Sequence, residues 1–498
     1  MTENSSRSKI LIIGAGIGGL TTAAVLSKSG FDVTVLESQV YPGGCASTFY
    51  HKGYRFDAGA TLAAGFYPGG PMDLLGEAAG ISDWPIHYDS PAMVVHLPNG
   101  SQIPCHNEES RWEDYSKVFG KRSQDFFRWQ EEIAELLWRF ALRLPAWPIK
   151  NIRDVRSVIR SLDGGIIAAS PRLARDVFRP VSQHLRGMPE NLQMFINGQL
   201  LISAQTTSEY ANALYSASAL DLPRRGVGHL AKGIGSLADT LVNAIKTNGG
   251  RVIFRQEVTK VTHHKQCRFI VQTRKNEKYE ADIVIANLTP WNLAELMQDN
   301  LPKSLNKIPA FPEKNWGAFM LYLGIDSTII PKEFPLHHQV IQNLPLGEGN
   351  SVFISISPEW DTARAPDGQR ALTISTHTRL GNWWKLFETD KHKYLEKKEL
   401  MTEKVMGAVE QVLPGAKNAV RLLLPGTPIT FKRYTGRVHG WVGGFPQTSL
   451  FESFHPKIAN NLWMVGDSIF PGQSTAAVAL SGLRVAKEIL RNIQNSGH

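Results

Sequence analysis

Lys9-Ile-Leu-Ile-Ile13 and the six residues after it, Gly14-Ala-Gly-Ile-Gly-Gly19, are the stretch of sequence that decides the fold. A short apolar run enters a glycine-rich turn, and the segment that follows, LTTAAVLSKSG, predicts a helix ending at Gly30. A second apolar run ends at Glu37, so strand, helix and strand together occupy about 30 residues. This β-α-β unit predicts a parallel sheet whose first turn binds a dinucleotide.

Each glycine of this turn meets a steric requirement of nucleotide binding. Gly14 permits the tight turn, Gly16 lets the backbone approach a pyrophosphate, and Gly19 allows close packing of the helix on the strand, while Gly18 belongs to the same turn. The helix N-terminus then faces the phosphates with its partial positive charge. Glu37 lies 18 residues after Gly19, where its carboxylate can accept both ribose hydroxyl protons. An ordinary glycine-rich turn, the alternative, gives no reason for the flanking strands and the acidic residue.

A second glycine pair, Gly43-Gly44, follows within Tyr41–Thr48 (YPGGCAST). Together with Gly53–Thr61 (GYRFDAGAT), this segment resembles flavoproteins of the amine-oxidase and carotenoid-desaturase superfamily. The resemblance implies that FAD is the cofactor and that the glycine pair lies along it. Many members carry Arg directly after the pair, whereas this chain has Cys45. Cys45 is interpreted as a small packing residue in preference to a site of covalent flavin attachment.

The C-terminal region contains the counterpart of this motif. Leu462 to Val465 predicts a strand, Gly466-Asp467 follows it, and Gly472-Gln473 precedes a helix that begins at about Ser474. The resemblance implies that Asp467 binds the ribityl hydroxyls or the pyrophosphate region. It also implies that backbone N–H groups near Gly472 and Gln473 face the N1–O2 edge of the flavin. The alternative is a strand and helix that only pack on the sheet, with Asp467 as a cap.

A third piece of the cofactor domain is predicted between residues 224 and 295, from helix and strand patterns. The resemblance implies that the backbone at Val258 reads the adenine ring and that Asn287–Pro290 returns to the flavin. The expected fold class is α/β, a Rossmann-like FAD-binding domain of the amine-oxidase type with an inserted α+β substrate domain. The FAD-binding domain is predicted to comprise residues 8–75, 224–295 and 430–492, and the substrate-binding, membrane-associating domain residues 76–223 and 296–429.

Composition narrows the function classes. The net charge is +9 with a pI of about 9.3, but no nucleic-acid motif is present, so nucleic acid is not expected as a partner. Cys45, Cys105 and Cys267 are too few and too widely spaced for a disulfide framework, which favours a reducing compartment. The N-terminus has no signal peptide, and the uncharged run from Ile10 to Ser27 is broken by glycines, so neither a leader nor a transmembrane helix is expected.

The first inserted segment, predicted to be helical, carries an uneven distribution of charge. Between Asn151 and Arg186 there are seven arginines and only three aspartates, interleaved with isoleucine, valine and leucine. Such a pattern is typical either of a basic amphipathic surface lying on anionic lipid or of a solvated helix face, and the sequence leaves both open. The arginines are Arg153, Arg156, Arg160, Arg172, Arg175, Arg179 and Arg186.

No acid/base constellation and no metal-binding spacing is evident, so the catalytic residues are left unknown and no metal is expected. His337, His338 and His377 are interpreted as structural. The second insertion is strand-rich, and Ala371–Thr378 alternates apolar and polar residues as a half-buried strand does. Hydride abstraction by a flavin depends more on positioning than on a protein base, so the missing constellation agrees with that chemistry.

The chain as a whole resembles the carotenoid desaturase/isomerase family, most strongly through Val465–Gly482 (VGDSIFPGQSTAAVALSG) and Ser357–Gln369. Gly436–Gln447 (GRVHGWVGGFPQ) resembles the cyanobacterial C-3′,4′ desaturases more than the carotene isomerases. The resemblance implies a C40 polyene substrate, desaturation by hydride transfer to FAD, and a quinone or oxygen as electron acceptor. It also implies a protein held peripherally at the cytoplasmic side of a membrane.

The sequence alone leaves several other functions open. A redox-neutral carotenoid cis–trans isomerase is the nearest alternative, followed by a polyene saturase and a monoamine oxidase. A prenyl- or lipid-binding module of the same fold, without cofactor, is the non-enzymatic alternative. Such modules lose the nucleotide fingerprint, whereas Gly14, Gly16, Gly19, Glu37 and Asp467 are all present here.

Overall fold

The computed structural model describes residues 8–264, 268–306, 308, 311 and 315–496. Cys267 lies outside these residues, whereas Cys45 and Cys105 are free thiols. In chain order, the strands are β1 (Lys9–Ile13), β2 (Asp32–Leu36), β3 (Thr48–His51), β4 (Tyr54–Asp57), β5 (Ala63–Ala64), β6 (Ile86–Asp89), β7 (Met93–His96), β8 (Gln102–Cys105), β9 (Val227–Leu230), β10 (Arg251–Ile253), β11 (Val258–His264), β12 (Arg268–Thr273), β13 (Lys278–Ala281), β14 (Ile283–Ala286), β15 (Trp316–Asp326), β16 (His337–Ile341), β17 (Ser351–Ile356), β18 (Gln369–Arg379), β19 (Val420–Gly426), β20 (Lys457–Ala459) and β21 (Leu462–Met464).

The α-helices connect and cover these strands. They are α1 (Ile17–Lys28), α2 (Pro71–Ala79), α3 (Arg111–Phe119), α4 (Ser123–Leu142), α5 (Ile152–Ser161), α6 (Gly164–Ala168), α7 (Ser170–Asp176), α8 (Glu190–Ala204), α9 (Ala213–Ala219), α10 (Ser236–Thr247), α11 (Pro290–Leu296), α12 (Leu380–Thr389), α13 (Lys391–Val412), α14 (Ala416–Ala419), α15 (Pro428–Thr435) and α16 (Thr475–Ser496).

A six-stranded sheet in the order β10-β2-β1-β14-β21-β20 carries the nucleotide-binding motif. The strands from β10 to β21 run parallel, and only β20 is antiparallel. Because α1 and the three-stranded sheet β11-β12-β13 both pack against them, β1 and β14 are almost entirely buried, which explains their continuous apolar sequence. The predicted β-α-β unit is present as β1, α1 and β2. The C-terminal strand β21 belongs to the same sheet, two strands away from β1.

A seven-stranded sheet in the order β19-β15-β18-β17-β16-β7-β8 forms the second layer. Its strands come from both inserted segments, since β7 of the first pairs with β16 of the second, and β8 pairs with β7. The first insertion is therefore not purely helical. Ala371–Thr378 lies within β18, but its polar side chains are mostly buried as well, because Thr373 and Thr376 bond to backbone carbonyls on packed neighbours. The expectation of a half-buried strand is wrong for this reason.

A small sheet in the order β5-β9-β6 joins the two layers. Here β9, from the predicted FAD-binding segment 224–295, pairs with β6, from the predicted substrate segment 76–223. The predicted division of the chain at these boundaries stays a prediction. No helix within the part of the chain that the structure describes is long and apolar enough to cross a bilayer.

Candidate functional site

One cavity of about 1870 Å³ has walls made from both ends of the chain and from both layers. Small-molecule pockets usually occupy roughly 300–1,000 Å³, so this cavity has room for a dinucleotide and a second large ligand. Its polar end lies at the carboxyl edge of the six-stranded sheet, where ligands bind in open α/β folds. The predicted residues on its wall are Gly14, Gly16, Glu37, Gly43, Gly44, Val258, Gly466, Asp467 and Gln473.

The first glycine turn is shaped by close contacts with Asn287. Gly14 has a φ of +94°, which a side chain rarely tolerates, and the amide of Asn287 lies against its carbonyl at 3.4 Å. A Cβ at Gly16 would lie 2.4 Å from the Asn287 amide nitrogen. Asn287 follows β14 directly, so the third predicted piece of the domain supplies the support on which the turn rests. The turn therefore keeps its backbone exposed to the cavity.

Gly18 and Gly19 lie behind the wall rather than on it. A Cβ at Gly19 would come within 2.5 Å of the Gly14 carbonyl, as expected for close packing of helix on strand. A Cβ at Gly18 would lie 3.1 Å from the backbone nitrogen of Gly466. The hydroxyl of Thr22 donates to the carbonyl of Gly482, so α1 and α16 also touch. The structure thus brings the predicted N-terminal and C-terminal motifs together.

Glu37 is buried at the end of β2 and its carboxylate is already oriented. One oxygen accepts the backbone N–H of Ala15 at 2.7 Å, and the other accepts the N–H of Gln39 at 2.8 Å and the hydroxyl of Ser38. Because a carboxylate has about four lone-pair sites, the oxygen bonded only to Ala15 keeps one for a ligand hydroxyl. These bonds hold the side chain on the cavity wall.

The second glycine pair lies against the first turn. Gly43 donates its N–H to the carbonyl of Ala15 at 2.8 Å, and Gly43 and Gly44 have φ of +110° and +59°. A Cβ at Gly44 would contact the Cα of Gly16 at 3.5 Å. Two strips of bare backbone therefore border the same groove. Val258 begins β11 at the groove's far end, beside a β-bulge.

The C-terminal motif lines the opposite side. α16 begins at Thr475, one residue later than predicted, and its first turn faces the cavity. Gln473 donates from its amide to the carbonyl of Ile202 at 3.1 Å, which ties this loop to α8. Gly472 lies off the wall with a φ of +110°, where it shapes the turn. Asp467 is on the wall and is paired with a cationic side chain.

Arg437 is the partner of Asp467 and was not singled out from the sequence. Its guanidinium lies 2.9 Å from the Asp467 carboxylate, donates to the carbonyl of Trp441 at 2.7 Å, and contacts the thiol of Cys45. Burial raises the pKa of the Cys45 thiol, while the neighbouring guanidinium opposes that rise. A cation therefore lies beside the glycine pair even though the usual arginine is replaced by Cys45. The only signal was the resemblance of the segment around it, Gly436–Gln447.

The other arm of the cavity is apolar and is built by the helices of the first insertion together with loops that meet them. Two buried phenols also lie on the cavity wall: burial raises the pKa of Tyr215 and of Tyr322, and the Tyr322 hydroxyl donates to the carbonyl of Ala58 at 2.7 Å. Burial lowers the pKa of His377 to about 4. The apolar wall residues include Leu136, Leu137, Phe140, Trp147, Val158, Leu162, Ile166, Leu173, Val177, Leu214 and Leu450.

The polar end fits FAD. Bare glycine backbone on both sides would let a pyrophosphate approach, Glu37 would hold the ribose, and the N-terminus of α16 would face the ring. Asp467 and Arg437 would border the ribityl and pyrophosphate region. The assignment of these residues to individual cofactor atoms stays a prediction.

Comparison with known proteins agrees with this fit. The family model of flavin containing amine oxidoreductases matches residues 17–490. Prolycopene isomerase 2, chloroplastic, from an Oncidium hybrid cultivar is 27% identical over 517 residues, covering 99% of this chain and 85% of that protein. The neurosporene-forming phytoene desaturase of Rhodobacter capsulatus is 22% identical over 524 residues, covering 98% of this chain and 94% of that protein.

Among solved structures, an oxidoreductase from Methanosarcina mazei has the same fold, with a TM-score of 0.64 at 17% identity over 96% of this chain and 100% of that one. The family match spans the glycine turn's helix, the cavity and most of the C-terminal helix, and the curated relatives extend over nearly the whole chain. The protein therefore belongs to the flavin-containing amine oxidoreductase family, with FAD as its cofactor, and its curated relatives place it with the carotenoid desaturases and isomerases.

Proposed function

We propose that the protein is a carotenoid desaturase that introduces a C=C bond, at the C-3′,4′ position, into a long polyene. The observation that supports this most is the single cavity, which joins a nucleotide groove to an apolar arm. Only a ligand with a long apolar body would use the whole of that arm. The resemblance of Gly436–Gln447 to the C-3′,4′ desaturases is the basis for the bond assigned.

The walls of the apolar arm explain how the protein would take part. When bound, FAD supplies a two-electron acceptor for the hydride that leaves an allylic carbon. The apolar side chains exclude water and hold the polyene extended, and the buried phenols of Tyr215 and Tyr322 stay protonated. Charge left on the substrate is delocalised over the polyene, so loss of the neighbouring proton requires no strong base. The electrons would leave to a quinone or to oxygen.

A route from lipid to the cavity is suggested by the outer face of the first insertion. Ile152 and Ile159 on α5 are 66% and 60% exposed, Ile167 on α6 is 60% exposed, and Phe178 is 82% exposed. We name these four side chains the apolar patch. On the inner side of the same helices, Val158 and other apolar side chains line the cavity. Short helices that are apolar on both sides are expected where one side meets a ligand and the other meets a membrane.

The charges around the apolar patch favour an anionic surface. All seven arginines between residues 151 and 186 are exposed. Arg172 and Arg175 lie near Glu132 and Asp176, but Arg153, Arg156 and Arg160 have no ion pair within the described part of the chain. Basic side chains near anionic lipid contribute about 1 kcal/mol each. This supports the lipid-facing interpretation over a plain solvated helix face.

An aromatic series connects the apolar patch with the cavity. Phe178 stacks on Phe451 with ring centres 5.8 Å apart, and Phe451 contacts Trp147, whose ring lines the cavity. The indole of Trp147 donates to the carbonyl of Leu450 at 2.6 Å. We propose that the protein is held peripherally on a membrane at this face and that the polyene enters the cavity between these rings.

The test of the reaction is expression in a carotenoid-producing host, followed by mass and absorbance measurement of the pigments. A product two hydrogens lighter than its precursor, with a longer absorbing polyene, is expected. A product of unchanged mass but altered geometry would instead establish the isomerase, and a heavier product the saturase. The isomerase is kept as the second candidate because the prolycopene isomerases cover almost the whole chain.

The test of the membrane face uses flotation with vesicles containing anionic lipid. Ile159→Asp with Phe178→Asp should lower the partition into vesicles at least roughly tenfold, because each exposed apolar side chain contributes up to about 2 kcal/mol on burial. Leu395→Asp with Leu400→Asp is the matched control, because these leucines are similarly exposed on α13. Equal flotation of both double variants would contradict this face as the membrane contact.

A further inference from the structure

Three side chains from distant parts of the sequence converge outside the cavity that holds the cofactor motifs. They are Asp89 at the end of β6, His229 in β9 and His337 in β16. Their oxygen and nitrogen atoms lie within 4.8 Å of one another. His229 and His337 are only 4% and 0% exposed. Within the part of the chain that the structure describes, Asp89 Oδ2, His229 Nε2 and His337 Nε2 make no hydrogen bond.

The environment of His337 fixes which of its nitrogens carries the proton. Nδ1 lies 2.8 Å from the hydroxyl of Ser355, and that hydroxyl lies 2.7 Å from the hydroxyl of Thr61, to which it donates. In the tautomer in which Nδ1–H donates to the Ser355 hydroxyl, Nε2 carries a bare lone pair. Second-layer hydrogen bonds of this kind orient histidines that ligate metals.

The spacing of the three atoms approaches that of a ligand set. Asp89 Oδ2 and His229 Nε2 are 3.3 Å apart, a usual separation for two ligands each about 2.0–2.2 Å from a zinc ion. The two imidazole rings lie nearly parallel, with centres 4.6 Å apart and planes at 7°.

Two arginines lie near the cluster. Arg364 and Arg370 are both close enough to act electrostatically on His229. Arg364 is paired with Asp57 at 2.9 Å, which offsets part of its charge.

We propose that Asp89, His229 and His337 bind one divalent transition metal ion of the zinc class, with the partly exposed Asp89 side leaving a coordination position for water. The ion connects the small sheet β5-β9-β6 to β16 of the seven-stranded sheet. Because Thr61 lies on the cavity wall, the ion also stiffens that wall. The sequence predicts no metal, because these ligands lie more than a hundred residues apart and form no spacing motif.

The test uses the full-length, flavin-loaded protein, stripped with a chelator and then equilibrated with micromolar zinc sulfate. Elemental analysis by mass spectrometry should find one zinc ion per chain, and the melting temperature should rise with zinc. Asp89→Asn and His337→Gln should each weaken zinc binding at least tenfold. His96→Gln is the matched control, because His96 is a buried histidine bonded instead to His338 at 3.0 Å, and it should bind zinc normally.

The proposal is overturned if the wild-type protein takes up no stoichiometric zinc, which would mean that the three atoms enclose only water. It is equally overturned if Asp89→Asn binds zinc as the wild type does. Flavin content reports folding of every variant. Should His337→Gln fail to retain flavin, Asp89→Asn decides alone, because Asp89 is partly exposed and the change is nearly isosteric.

Discussion

The two ends of the cavity are lined by different groups, backbone at one end and apolar side chains at the other. At the nucleotide end, bare backbone at Gly14, Gly16, Gly43 and Gly44 forms the groove, and a carboxylate is held by backbone N–H groups. At the apolar end, the wall consists of side chains from α4 to α9, and polar groups are few. The first end is specified by backbone conformation and the second by packing. Changes at the two ends should therefore affect different measurements, flavin content for one and product formation for the other.

The largest effect is expected from Gly16→Val. The added Cβ would lie 2.4 Å from the Asn287 amide nitrogen, so the turn or its support would have to shift. We expect a loss of about 3 kcal/mol or more in FAD binding, and therefore protein purified nearly without flavin absorbance. Gly407→Val is the control, because a Cβ there meets no atom within 4 Å. Wild-type flavin content in Gly16→Val would show that this turn does not contact the cofactor.

Val158→Asp tests the other end and should leave flavin content unchanged. A carboxylate on the apolar wall would have to be desolvated by the polyene, at a cost of several kcal/mol, so product formation should fall at least roughly tenfold. Leu395→Asp, at an exposed position on α13 away from both the wall and the apolar patch, should retain activity. If Val158→Asp lost flavin and product together, the two ends would not be separable in the way that the structure indicates.

Glu37→Ala should have an intermediate effect at the nucleotide end. Loss of charge-assisted hydrogen bonds to the ribose would weaken FAD binding by about 1.5–3 kcal/mol, measurable by fluorescence titration of the apoprotein. Glu37→Gln should recover part of that affinity, since its amide keeps one acceptor and the same shape. Unchanged affinity in Glu37→Ala would contradict the ribose assignment.

Cys45→Ala should have the smallest effect. Burial raises the pKa of this thiol, which keeps it protonated and weakly nucleophilic, in accordance with its interpretation as a packing residue. Flavin affinity should change by less than about 1 kcal/mol, and acid precipitation should release the flavin from the wild-type protein. Flavin that stays with the precipitated wild-type chain, but not with Cys45→Ala, would establish covalent attachment instead.

The nucleotide end was largely predictable from the sequence because its physical demands fall on single residues. A turn with φ of +94° needs glycine at position 14, and a buried carboxylate at the end of a strand is visible as Glu37. Both the glycine turn and the end of β2 can therefore be recognised from a short stretch of sequence. The β-α-β unit was predicted with its helix ending within two residues of the observed end, Lys28.

The remaining parts were hidden because they depend on long-range partners. Arg437 acquires its partners only when the fold brings it against Asp467, which follows β21, and Cys45, which follows β2. Strands β7 and β8 are short and occur in a segment dominated by helices, and the pairing of β7 with β16 spans more than two hundred residues. Apolar wall residues such as Val158 share their composition with any protein core, so no periodicity distinguishes a lining residue from a packed one.

The side chain of Asn287 has a consequence for how the protein matures. It supports the glycine turn near the start of the chain and also lies against Gly466 near its end, while the Thr22–Gly482 bond closes a loop of 460 residues. Contacts of such high contact order form late, because the loop-closure entropy must first be overcome. The groove for the nucleotide is therefore completed only after almost the entire polypeptide has collapsed. Protein-bound flavin, separated from free FAD, should consequently appear in a refolding reaction only after secondary structure has formed, and would serve as a direct readout of native assembly.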